Sequence, residues 1–166
     1  MDFGLLLGRL VFGLLMAGHG AQKLFGWFGG HGLAGTAGFF ENLGFRPGRL
    51  FAVAAASSEL IGGLLVAGGL LGPIGPAAML AVMIVAAGSV HWHNGLFAMS
   101  NGIEVPLLYA TAAAALAFTG PGAYSLDRVL GLLVFTPVTA CLALMAGIAG
   151  AAVNLALRRP AAATTA

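Results

Sequence analysis

Arg9-Leu10-Val11-Phe12-Gly13-Leu14-Leu15-Met16-Ala17-Gly18-His19-Gly20-Ala21-Gln22-Lys23-Leu24-Phe25-Gly26-Trp27-Phe28-Gly29-Gly30-His31-Gly32 is the stretch on which the fold turns. Its apolar half is long enough to enter a bilayer, yet it carries Arg9, His19 and Lys23. At 100° per residue these three fall within an arc of about 80°, so one helix face holds every charge. Such a stripe is costly against lipid, so the face must turn inward toward other helices.

The composition agrees. Of 166 residues 60% are hydrophobic and only 7% charged, against roughly 25% charged in a soluble domain. So few charges cannot cover a soluble globule, and the chain reads as an integral, multi-pass membrane protein in contact with the lipid bilayer. The 27 glycines suit helices whose backbones approach closely in lipid. The net charge of +2 is spread over a few residues, and no basic cluster interleaved with aromatics points to nucleic acid. Cys141 is the single cysteine, which excludes an intrachain disulfide, a dithiol redox pair and a thiolate metal cage. The start, Met1-Asp2-Phe3, lacks the basic leader of a cleaved signal, and Lys23 stands where a small-residue cleavage site would fall.

Working outward, the first helix spans 4–25, near the ~20 residues that cross a hydrocarbon core. The glycine-rich segment 26–35 interrupts it. A short interfacial helix over 36–44 comes next, with Thr36 as cap, inside a linker over 26–49. A second helix over 50–71 holds one charge, Glu59, beside Gly62 and Gly63. Gly72-Pro73-Ile74-Gly75-Pro76 turns the chain into a third helix over 77–92, which ends in His91-Trp92-His93. A fourth helix covers 103–118, with Glu104 and Pro106 in its first turn, and Ser125 and Asp127 offer a cap and a first-turn acid for the next helix. The apolar run 129–157 reads as a fifth helix with room for a kink at Pro137. The fold class is therefore all-α, a polytopic transmembrane helical bundle. Its four-helix core occupies 1–130, an additional C-terminal transmembrane helix lies within 131–159, and 160–166 is a disordered tail.

Lys23, Arg46, Arg49, Arg158 and Arg159 fall on one side of a five-helix bundle, against Arg128 alone in the opposite loops. The positive-inside rule makes that side cytoplasmic and puts the N-terminus outside. Antiparallel packing brings His19, Lys23, His91, His93 and Glu104 to that same face. Measured from it, Arg9 lies roughly 24 Å deep and Glu59 roughly 14 Å deep. A long guanidinium pointing back up narrows that gap, alone or through a water, and a buried Arg9–Glu59 pair is the simplest account of two intramembrane charges. Glu59 could alternatively carry a proton or touch a quinone. Glu104 stands three residues after Asn101, a capping-box spacing that competes with a role in chemistry. His91 and His93 point about 200° apart on one helix and make no chelating pair; a His19–His91–Glu104 site is possible in composition but has only a weak spacing signal, and no metal residue is assigned.

These segments together resemble the DoxX family of small bacterial membrane proteins. The resemblance lies in Arg9, in His19-Gly20-Ala21-Gln22-Lys23-Leu24-Phe25-Gly26-Trp27-Phe28-Gly29-Gly30-His31-Gly32, and in Thr36-Ala37-Gly38-Phe39-Phe40. It continues through Glu59-Leu60-Ile61-Gly62-Gly63, His91, Asn94-Gly95, Glu104 and Gly120-Pro121-Gly122-Ala123-Tyr124-Ser125-Leu126-Asp127. It covers roughly residues 5–130 and implies a four-helix bundle in the bacterial inner membrane; the apolar run beyond it adds a fifth helix. The family name comes from a thiosulfate:quinone oxidoreductase, and some members are linked to redox-stress complexes with soluble partner enzymes.

Three function classes are open on these grounds. The first is a redox-linked membrane subunit, either a quinone-associated oxidoreductase component or an anchor for soluble redox proteins. The second is a non-enzymatic scaffold, and the third a small-solute or lipid transporter. In the first class, His19, Lys23, Glu59, His91 and Glu104 are the candidates for proton chemistry. Arg9, His19 and His91 are the candidates for holding a quinone. The sequence has no flavin, dinucleotide, haem or iron–sulfur motif, so electrons would come from a partner. Self-association into a homo-oligomer is left open.

Overall fold

A computed structural model describes residues 2–159. Seven α-helices are formed among the described residues: α1 Asp2–Phe25, α2 Gly32–Asn42, α3 Gly48–Gly68, α4 Ile74–Ala86, α5 Glu104–Thr119, α6 Leu126–Leu130 and α7 Pro137–Leu157. No strand occurs among the described residues. α4 runs on through a π turn, Ala87–His91, and a 3-10 turn, Trp92–Asn94, to make one 21-residue apolar rod. Among the described residues four elements are long and apolar enough to cross a membrane: α1, α3, this extended α4 and α7. The shorter α5 still joins the two ends of the bundle. It starts where Glu104 N–H meets Leu96 C=O and ends beside Pro121, whose carbonyl is bound by Arg9.

α1 and α3 form the central antiparallel pair, and glycine makes it possible. A Cβ on Gly13 would stand 2.5 Å from the Ala67 nitrogen, and one on Gly63 would stand 2.5 Å from the Ala17 nitrogen. Only hydrogen at these positions lets the backbones meet. On one side of the pair, between α1, α4 and α5, Met16, Met79, Met83, Tyr109 and Ala113 build a core bordered by Phe12, Leu80 and Val82. Phe12 meets Tyr109 edge-to-face at 5.6 Å. Leu14, Ile61, Leu64, Leu107, Leu108, Leu142 and Ile148 face outward, as lipid-facing side chains do.

The bundle has two distinct ends. At the arginine end α1 begins, α3 turns into α4 and α5 turns into α6. At the lysine end α1 finishes, α2 lies between α1 and α3, and the extended α4 finishes. α7 also finishes there: the Arg158 side chain donates to Leu43 C=O at 2.6 Å, and Arg159 N–H donates to Gly44 C=O at 2.8 Å.

The second helix of the sequence reading lies at Gly48–Gly68 instead of 50–71 and the third starts at Ile74 instead of 77, and two further elements differ more. α2 begins at Gly32, and Thr36 sits inside it, its hydroxyl donating to Gly32 C=O at 2.8 Å instead of capping. Gly32 opens the helix at φ +66°, a left-handed value that favours glycine. The expected continuous fifth helix over 129–157 is two helices. Gly131, with φ +67°, closes α6. Thr136 then opens α7 through a reciprocal capping box with Thr139, and Pro137 is the first residue of the helix rather than a kink within it. The tail expected to be disordered, 160–166, lies outside the described residues.

Candidate functional site

A cavity of about 990 Å³ opens at the lysine end between α2, α3, α4 and α7, with Gln22 and Lys23 of α1 in its lining. Phe39, Phe40, Phe45 and Phe51 form one wall, with ring centroids 5.3–6.3 Å apart along the row. Val82, Val85 and Val90 of the extended α4 form another, and the glycine-rich segment contributes Gly29, Gly30 and His31 to the rim.

Its polar lining is cationic or neutral. Lys23, His31 and His91 line it, with Gln22, Thr36, Asn42, Ser58, Ser89 and Asn154; no carboxylate does. Ser89 and Asn154 are turned onto their own helices, donating to Val85 C=O at 2.6 Å and Gly150 C=O at 3.0 Å. Gln22 donates to Phe28 C=O at 3.2 Å, which pins the hairpin. Lys23 is therefore the fixed charge of the cavity.

Lys23 pairs with Glu59, and the two are unequally buried: the lysine side chain is 33% exposed and the glutamate 1%. Helix geometry explains the meeting. Side chains tilt toward their own helix N-terminus, so Lys23 on α1 projects back into the bundle while Glu59 on the antiparallel α3 projects toward the lysine end. One carboxylate oxygen, Oε1, takes the lysine; the other, Oε2, is buried and has no partner. The expected Arg9–Glu59 pair does not form. Arg9 tilts the opposite way, and its guanidinium donates to the carbonyls of Val66 (3.2 Å), Ala67 (3.3 Å), Tyr124 (2.8 Å) and Pro121. It ties the carbonyl-rich end of α3 to the 121–124 loop, and Arg9 is not among the residues that line the cavity.

The remaining candidates separate. His91 lines the cavity, and its Nδ1 lies 2.7 Å from Asn101 C=O. Because a carbonyl only accepts, Nδ1 carries the hydrogen, and a neutral ring then offers Nε2 as an acceptor. His19 is exposed, its Nδ1 3.2 Å from Gln22 Oε1 and its ring edge-on to Tyr109 at 6.1 Å. It falls at the edge of the 80° stripe, on the α5 side of α1, and forms no part of the cavity wall. Glu104 accepts from Ala98 N–H at 2.7 Å and so caps the 95–103 loop, though the partner is Ala98 rather than Asn101. It too is outside the wall.

The matching family model, DoxX, covers residues 4–92, more than half of the chain. The chain belongs to the DoxX family. The DoxX match ends at Trp92, so the cavity walls contributed by α1 to α4 fall within it and the α7 wall beyond it. Comparison with curated proteins and with solved structures gives no match. Two features escaped sequence reasoning. The phenylalanine row draws on α2, α3 and the turn between them, and periodicity within a single helix does not reveal it. Asp127, read only as a first-turn acid, accepts from Leu71 N–H at 2.8 Å and Gly72 N–H at 2.7 Å and so fixes the α3–α4 turn. No local signal links residues 55 apart in sequence.

Proposed function

We propose that this DoxX protein is the quinone-associated membrane subunit of an oxidoreductase, holding a quinone head group in the cavity at the lysine end. The observation that carries the reading is the phenylalanine row facing a cavity whose fixed charge is Lys23. A bound quinone supplies two-electron, two-proton chemistry; this chain's residues bind and orient it. The Lys23 ammonium donates to a ring carbonyl. His91, with Nδ1 engaged, accepts from a quinol hydroxyl through Nε2. The apolar wall of α4 takes the tail. Reducing equivalents come from a soluble redox partner at the same end, where Arg46 and Arg49 are exposed.

A short-tailed quinone titrated into the detergent-purified protein tests this. Wild type binds, Lys23→Met weakens binding by about tenfold, as expected for losing one hydrogen bond to a charged group, and His91→Ala weakens it less. A flat wild-type titration, or equal affinity in all three proteins, overturns the reading and favours a scaffold. The lysine and arginine excess at this end supports a cytoplasmic mouth. A reporter fused after Arg159 should then report cytoplasm, and an external signal inverts the orientation.

A further inference from the structure

Lys23 and Glu59 together set a condition on what the cavity accepts. The wall holds one permanent cation and no carboxylate, so its field favours an anion over a neutral ring. That cation already has a buried partner. One ammonium cannot neutralise two carboxylate-like charges in an apolar bundle, where an uncompensated buried charge is strongly unfavourable. The excess is removed by a proton, and Glu59 Oε2 is placed to take it. It is buried and has no hydrogen-bond partner of its own, so a proton there displaces no donor, and the one contact given up is the Lys23 pairing with Oε1.

We propose that the cavity binds a planar lipophilic organic anion together with one proton, the anion on Lys23 and the proton on Glu59. This rests on the reading of the cavity as a quinone-type site and names the charge state it selects. The step is an association only. Ligand anion, proton and protein combine, Lys23 turns from Glu59 toward the ligand oxygen, and the carboxylate becomes a carboxylic acid; nothing is oxidised or reduced. The other ionisable groups on elements packed around α3 are engaged or stand apart. On α1, Arg9 is bound to four carbonyls and His19 lies on the α5 side near Gln22. On α2, Glu41 accepts from Gly48 N–H at 3.2 Å. His31 at the rim and His91 at the end of α4 line the cavity itself and are the competing proton acceptors.

The test compares two isosteric probes by calorimetry in buffers of different ionisation enthalpy. One is 2-hydroxy-3-methyl-1,4-naphthoquinone, which is ionised at neutral pH; the other is 2,3-dimethyl-1,4-naphthoquinone, which is not. Wild type should bind the anion with uptake of about one proton, and its affinity should fall about tenfold for each unit of pH above neutrality. The neutral probe should bind with no proton exchange. In Glu59→Gln the uptake and the pH slope for the anion should both vanish. A Lys23→Met/Glu59→Gln double variant, which leaves no stranded charge, should bind both probes alike; circular dichroism checks that each variant keeps its helices. Anion binding by wild type without proton uptake, or uptake that survives in Glu59→Gln and so resides on His31 or His91, overturns the proposal while leaving the quinone-type site standing. Binding of neither probe overturns the site reading, and this inference falls with it.

Discussion

At the arginine end Arg9 reaches four carbonyl oxygens and Asp127 receives two backbone N–H groups, whereas at the lysine end one ammonium meets one carboxylate oxygen and leaves the other bare. The partners at the first end are mostly backbone, fixed by the helices that carry them. At the second end both partners are side chains, and one borders a cavity. Backbone partners cannot leave without unwinding a turn, so the arginine end is built to hold. A lysine on a four-carbon stem can change partners without moving a helix, so the lysine end is built to exchange. The burial agrees: Arg9 is 3% exposed, while the Lys23 side chain is 33% exposed.

The sharpest way to break this comparison is to remove each cation in turn. Arg9→Met strands four carbonyls in the bundle and unlatches the 121–124 loop from α3. Its cost should be on the order of 3–5 kcal/mol, since buried acceptors left without donors keep their full desolvation penalty. Thermal unfolding in mild detergent should therefore show Arg9→Met melting well below Lys23→Met. If the two melt together, the arginine end is no more structural than the lysine end.

Within the lysine pair a smaller asymmetry comes from burial. Lys23→Met leaves the Glu59 carboxylate inside the bundle with no counter-charge, at a cost on the order of 3 kcal/mol. Glu59→Gln leaves an ammonium that is already partly exposed and can turn to water, at a cost below about 1 kcal/mol. Melting temperatures of the two variants give the order directly. Equal losses would mean that Lys23 is held as tightly as Glu59 and cannot serve as the exchangeable partner.

The helices were legible in the sequence because apolar runs and glycine–proline breaks mark them, and helix direction alone brought Lys23 and His91 to one end. What misled was measuring depth between Cα atoms. Along the axis, Glu59 lies about 10 Å from Arg9 and about 10 Å from Lys23, so depth cannot choose between them. Side-chain tilt can: Lys23 and Glu59 lean toward each other, Arg9 and Glu59 apart. The split of the expected fifth helix was legible too, in Gly131 and the Thr136-Pro137 pair, but long uninterrupted hydropathy outweighed both. The cavity was not legible. It depends on how far α2 stands from α4 and α7, and no single helix encodes that distance.

The smallest expected effect tests where the lysine end stops. His19 and Glu104 share its membrane face but not its cavity. The ring of His19 rests on Tyr109, and the carboxylate of Glu104 holds Ala98 N–H. Glu104→Gln keeps an acceptor oxygen and loses only the charge assistance of that bond, about 1 kcal/mol. His19→Ala removes an exposed ring and costs less. Neither change should alter quinone affinity in the titration that separates Lys23→Met from wild type. If Glu104→Gln weakens binding as Lys23→Met does, the ligand sits on the α5 side of α1, beside Tyr109, and the phenylalanine-lined cavity is not the site. Unchanged affinity in both variants, with a loss in Lys23→Met, confines the chemistry of this end to the phenylalanine-lined cavity that Lys23 borders.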